Sequence, residues 1–188
     1  MASSTIYLVR HGETDWNLER RYQGQKDIPM NATGIEQART TAQELEGKKF
    51  DAIYSSDLSR AFQTALPIAE NLNMPIITNP ALREIDQGEW EGIFIDEITK
   101  NFGSLVSALY KNPYEARKPG GETIGEVADR AYAYLDEITR ANDGKTIVVV
   151  THGMVIGTIL CKVNDLPLSQ AGNYIPNNAE FKIITWVT

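Results

Sequence analysis

Histidine is nearly absent from this chain, with His11 and His152 alone among 188 residues. Cysteine is scarcer still. Cys161 stands by itself, which excludes an intramolecular disulfide and a cysteine-based metal site and suits a reducing compartment. Positive charge is in deficit, since 18 lysines and arginines face 25 aspartates and glutamates for a net −7. That balance argues against a general nucleic-acid binder and gives no reason to expect attachment to an anionic membrane. An anionic ligand would have to be met by a local basic cluster. Long apolar runs are also missing, and none approaches the roughly 18 residues of a spanning helix. The opening "MASSTIYLVRHG" lacks the charged segment and apolar length of a signal peptide, so the expected setting is cytoplasmic. What is present, 42% hydrophobic residues, supports a sizeable core, and residues 1–188 are expected to form one domain.

Short β-branched apolar runs, "TIYLV" (5–9) and "TIVVV" (146–150), read as fully buried parallel strands. "DAIYSS" (51–56) and "MPIIT" (74–78) are weaker strand candidates, and the alternating "AEFKIITWV" (179–187) suits a strand near a sheet edge. Helical segments lie between them. "TGIEQARTTAQELEG" has Thr33 and Glu36 in capping-box spacing and stops at Gly47. "DLSRAFQTALPIAENL" has Asp57 as a cap and Pro67 as a bend. "TIGEVADRAYAYLDEITR" has a second capping box in Thr123 and Glu126, and "MVIGTILCKV" should be a largely buried helix. Alternation of strands and helices predicts an α/β fold with a mostly parallel sheet. Residues 12–32 carry no clear periodicity, and a loop that long in a compact domain is usually functional.

Ligands of open α/β sheets bind at the carboxyl ends of the strands. Three strand ends here carry notable groups: Arg10 and His11, the "SSDLSR" segment leading to Arg60, and His152. Both histidines end an apolar run and precede a glycine, so both should project from one sheet edge. One histidine in such a place is ordinarily structural; a matched pair points to chemistry. Arg10 closes a buried strand, where a charge needs a partner. Arg60 falls in the first turn of its helix, where the dipole disfavours a cation. A surface ion pair with Asp57 would account for it, but an anion bound at that helix start would satisfy both arginine and dipole. Two arginines and a helix N-terminus describe a phosphate site better than a carboxylate site.

Neighbouring guanidinium groups would keep His11 neutral, with a ring nitrogen free to attack phosphorus. Arg10, Arg60 and His152 would then stabilise charge on the phosphoryl oxygens. A proton donor for the leaving group could be Glu84, Glu13, Asp86 or Glu89, and spacing alone does not separate them. The scheme requires no metal, and the flanking arginines would hamper a two-histidine carboxylate metal site.

"LVRHGETDWN" closely resembles the signature of the histidine phosphatase superfamily, which includes the cofactor-dependent phosphoglycerate mutases. "RYQGQKDIPMNATGIEQA", "IYSSDLSRAFQTA", "LREIDQGEWEG", "PGGET" and "VVVTHG" follow in the family's order. The resemblance implies a three-layer α/β/α sandwich with a mostly parallel central sheet. It implies His11 as the phosphorylated nucleophile and Arg10, Arg60 and His152 as the phosphate pocket. By the same resemblance Glu84 takes the proton-donor role, and neither a metal nor an organic cofactor is implied. Asn17 looks like an accessory phosphate or His11-orienting contact, and Gln23 and Gly24 match the substrate-side loop.

The chain is similar to the compact phosphatase branch, such as broad-specificity and α-ribazole phosphatases, more than to the longer mutases. Little follows the last strand, and no extra covering segment is evident after "WEG", so a closed lid is not expected. An open site admits water and gives net hydrolysis. "THGMVIG" departs from many relatives by carrying Met154 and Gly157. The missing arginine argues against a bisphosphate substrate, and Met154 narrows the pocket mouth toward a substrate with an apolar portion. The expected function is metal-independent hydrolysis of small phosphomonoesters through a phosphohistidine. The alternatives are a 2,3-bisphosphoglycerate-dependent phosphoglycerate mutase and a non-catalytic module binding phosphate or phosphoprotein.

Overall fold

A computed structural model describes residues 1–188. One five-stranded sheet organises it: β1 (Ser3–Arg10), β2 (Ala52–Ser55), β3 (Ile76–Thr78), β4 (Thr146–Thr151) and β5 (Phe181–Val187), in spatial order β3-β2-β4-β1-β5. All neighbours are parallel except β5, which runs antiparallel along β1 at the edge. All five expected strands are therefore found, with β5 at the edge as its alternation predicts.

The sheet is covered on both faces because the central strands carry continuous apolar runs, Ile6–Val9 in β1 and Ile147–Val150 in β4. Side chains alternate along a strand, so odd and even residues enter different cores. Ile6, Leu8, Ile147 and Val149 join one core with α5 (Ile124–Ala141) and α6 (Gly153–Val163). Val9, Val148, Val150 and Ile53 join the other with α2 (Ala32–Glu44) and α3 (Ser59–Leu72). This is the expected α/β/α layering. α6 buries nearly its whole length, and α5 starts with the reciprocal cap between Thr123 and Glu126.

Local expectations fail at three places. α2 is capped by Asn31, whose side chain accepts from Gly34 N, instead of by Thr33 with Glu36. Asn31 wins because Glu13 also receives its amide, pinning it at the helix start. α3 has Leu58 at the cap position and no side-chain cap, because Asp57 is committed to a two-pronged pair with Arg83 at 2.7 and 2.6 Å. The helix continues through Pro67 to Leu72.

The third departure matters most for the site. Two helices lie where none was expected: the short α1 (Asp15–Leu18) and the long α4 (Ile95–Lys111). α1 forms because Thr14 and Asn17 cap each other across its one turn. α4 begins directly after the "WEG" turn and buries Ile98 and Leu109 with Trp90 in a small core of its own. Its polar residues and the non-helical backbone at Phe102 blur its periodicity.

Candidate active site

Strand register brings the site together. Arg10 of β1 is paired with Thr151 of β4, so the next residues, His11 and His152, emerge side by side at the carboxyl ends. Their ring centroids are 5.2 Å apart. Ser55 of β2 pairs with Val150, which puts Ser56 beside His152 on the other side. The rule that ligands meet the carboxyl ends of parallel strands is followed here by three adjacent strands.

His11 is 2% exposed, and Nδ1 lies 2.7 Å from the carbonyl oxygen of Gly12. A carbonyl only accepts, so Nδ1 carries the proton and Nε2 carries the lone pair. Nε2 makes no hydrogen bond within the chain, and His11 lines a cavity that residues of α4 also wall. Burial, then the charges of Arg60 and Arg10, hold its pKa well below the ordinary histidine value. Gly12 is required by contact: a β-carbon there would stand 2.5 Å from both the Gly34 carbonyl oxygen and Met30 Sδ. Gly12 N donates to Thr64 Oγ1, which in turn donates to the carbonyl of Arg60, so the His11 loop is tied to α3.

Arg60 is fully buried. Its terminal nitrogens donate to the carbonyls of Gly24 and Lys26 at 2.7 and 2.8 Å. Burial lowers its pKa to about 10, with Glu84, Asp27 and Glu91 opposing, so it remains a cation at neutral pH. A surface pair with Asp57 is thereby excluded. Arg10 donates one terminal nitrogen to the Pro176 carbonyl at 2.6 Å. His152 is fully buried with Nε2 2.8 Å from Ser56 Oγ, and burial followed by Arg60 depresses its pKa strongly.

One observation ties these groups together. Five buried side-chain polar atoms lack any hydrogen-bond partner, and three of them are Arg10 Nε, Arg60 Nε and His152 Nδ1. Unpaired buried donors are costly and rare in folded chains, so three in one place mark where a ligand's acceptors belong.

The remaining expected residues surround a cavity of about 290 Å³. Asn17 lines it with Oδ1 held by Thr14 and by Asn178 Nδ2, leaving its own amide nitrogen free. Gln23 lines it with Oε1 bound to Thr14 Oγ1 at 3.0 Å. Gly24 lines it in the left-handed conformation and supplies the carbonyl that holds Arg60. Of the four carboxylates, only Glu84 reaches this cavity. Glu84 Oε1 accepts from Ile85 N at 2.9 Å and from Met154 N, at the start of α6, at 3.2 Å. Glu13 binds Asn31, Asp86 binds Gly88 N, and Glu89 is exposed. His152 is not among the residues that line the cavity; its ring lies beside that of His11 with Nδ1 unpartnered.

The expectation of an uncovered site is corrected. Ile95, Val106, Leu109 and Tyr110 of α4 wall the cavity opposite the strand ends. Met154 joins that apolar lining as expected. Gly157 lies elsewhere, with the Ala171 carbonyl 2.3 Å from where its β-carbon would stand. The backbone at 168–174 fills the space an arginine would need, so the residue at 157 says nothing about a second phosphate. Ser56, Gln87 and Lys118 were missed. Ser56 was legible as the residue one past a strand neighbouring that of His152; the other two carry no sequence signal. No group of three or more histidine, cysteine, aspartate or glutamate side chains is placed to hold a metal ion. No helix is long and apolar enough to cross a membrane.

Residues 6–188 match the model of the histidine phosphatase superfamily, branch 1. The chain belongs to that family. It is 34% identical over 95% of its length to phosphoserine phosphatase 1 of Hydrogenobacter thermophilus, covering 85% of that protein. It is 39% identical over 86% of its length to a Yersinia pestis protein named "Probable phosphoglycerate mutase GpmB", covering 75% of it. Among solved structures, a phosphoserine phosphatase variant from Entamoeba histolytica, in complex with phosphoserine, superposes with a TM-score of 0.85. That match has 30% identity and covers 98% of this chain and 90% of the other.

Proposed function

We propose that the protein hydrolyses phosphomonoesters of small metabolites through a phosphohistidine at His11. The observation that carries the reading is the cluster of three buried, unpartnered donors around a neutral histidine whose Nε2 is free. In the first step the Nε2 lone pair attacks phosphorus and the ester P–O bond breaks. The leaving oxygen takes a proton from the Glu84 carboxyl. Arg10 Nε, Arg60 Nε and His152 Nδ1 receive the phosphoryl oxygens, with Ser56 donating to His152 Nε2 so that the proton sits on Nδ1. The positive charge on the phosphorylated ring is eased by its Nδ1–H bond to Gly12. Water then attacks phosphorus, Glu84 takes its proton, the P–N bond breaks, and phosphate leaves. Asn17 and Gln23 support the phosphoryl group from the cavity side.

The test is turnover of a phosphomonoester panel in the presence of chelator, with trapping of an acid-labile phosphoprotein. His11→Ala is expected to lower kcat at least about a thousandfold and abolish the adduct. Full activity in that variant refutes the reading. The similarity to the Yersinia protein and the wall made by α4 favour a second reading, phosphoryl transfer between phosphoglycerates. Stimulation of 3-phosphoglycerate isomerisation by 2,3-bisphosphoglycerate would establish it.

A further inference from the structure

Lys118 is a lysine only 4% exposed, and it lines the cavity with a side chain that makes no hydrogen bond or ion pair. Burial lowers its pKa to about 8, with Glu84, Glu122 and Asp86 opposing. Each of those carboxylates is engaged elsewhere. Glu122 holds Arg130 at 2.9 Å, Asp86 holds Gly88 N, and Glu84 holds Ile85 N and Met154 N. Gln87, 8% exposed, lines the same cavity, and its Oε1 is a buried acceptor with no donor.

Backbone bonds join the two residues' loops. Glu89 N donates to the Pro119 carbonyl at 2.9 Å, and Glu122 N to the Asp86 carbonyl at 3.0 Å. Lys118 and Gln87 therefore belong to one rigid patch of the wall. A buried cation and a buried acceptor, both unpaired, are costly unless a ligand completes them.

Charge counting says what kind of ligand. With Glu84 carrying the proton that it gives to the leaving oxygen, a phosphoryl dianion offsets Arg10 and Arg60 and leaves Lys118 as the surplus cation facing the cavity. Arg21 also lines the cavity, but its guanidinium is occupied by Glu19, by the Gly92 carbonyl and by the ring of Phe94 3.8 Å away. One further negative charge on the non-phosphate part of the substrate would restore balance. A second phosphate dianion would exceed it. We propose that Lys118 and Gln87 form a subsite for the leaving alcohol. Lys118 receives a carboxylate on that alcohol, and Gln87 Oε1 receives a neighbouring ammonium or hydroxyl donor. The proposal rests on the phosphomonoesterase reading of this cavity.

Two substrate pairs test it. Phosphoserine and phosphoethanolamine differ only in the carboxylate; phosphoserine and 3-phosphooxypropionate differ only in the amine. The kcat/KM for phosphoserine is expected to exceed either partner by at least about tenfold. Lys118→Met should collapse the first ratio toward unity while Lys118→Arg keeps most of it, and Gln87→Leu should collapse the second. The carboxyl methyl ester of phosphoserine makes the same comparison without any substitution, and a loss of about tenfold is expected there too. Equal efficiency on phosphoserine, its methyl ester and phosphoethanolamine overturns the subsite yet leaves hydrolysis standing. So does an unchanged ratio in Lys118→Met. Failure to hydrolyse any of these, or p-nitrophenyl phosphate, defeats the phosphomonoesterase reading and the subsite with it.

Discussion

The burial of both histidines makes stability a direct report on the site. In the unfolded chain each histidine takes up a proton below about pH 6.5. In the folded chain His11 and His152 resist protonation, because burial and the adjacent arginines hold both well below that value. The unfolded state therefore binds more protons as pH falls, and stability present above pH 6.5 is lost below it. Between about pH 7.5 and about pH 5 each ring costs about 2 kcal/mol, so the pair costs about 4 kcal/mol. The chain has no other histidines, so this window belongs to the site. Urea unfolding at closely spaced pH values gives the slope, and His11→Asn or His152→Asn should each remove about half of it. A flat profile across the window would mean that the rings protonate in the folded state, and the neutral-nucleophile argument would fall.

Glu84→Gln should depress kcat/KM for alkyl phosphates by about 10²–10⁴ and spare that of aryl esters, whose leaving groups need no proton in the P–O cleaving step, while kcat for both falls because water attack also uses Glu84. Equal losses of kcat/KM on both classes, measured on phosphoserine and p-nitrophenyl phosphate, would remove Glu84 from proton transfer. Gly157→Ala should destabilise the fold by about 1–3 kcal/mol, because the new methyl meets the Ala171 carbonyl. An unchanged melting temperature would contradict the close approach of α6 to residues 168–174.

Much of the site was legible because its residues follow strands that announce themselves. "TIYLV" and "TIVVV" are unambiguous buried strands, and His11 and His152 follow each at a short fixed distance, so their meeting required only that the strands be neighbours. Arg60 was legible for the opposite reason: a cation in a first helical turn needs an explanation. Choosing Glu84 over Glu13, Asp86 and Glu89 was beyond spacing, because all four lie on irregular segments whose path is set by tertiary packing. α4 escaped notice since its apolar residues serve a small separate core and one cavity wall instead of the sheet. Asn31 and Asp57 show how caps mislead: each site was chosen by a long-range partner, Glu13 for the first and Arg83 for the second.

The independence of that small core has a further consequence. Trp90, Ile98 and Leu109 hold α4 in place without sharing side chains with the two cores that clamp the central strands. Bond cleavage is thus anchored in one part of the molecule, and much of the surface that greets the departing alcohol is anchored in another. Tyr110 of α4 is where the two meet, since it packs against the larger core. A lineage built this way can change its diet while keeping its teeth.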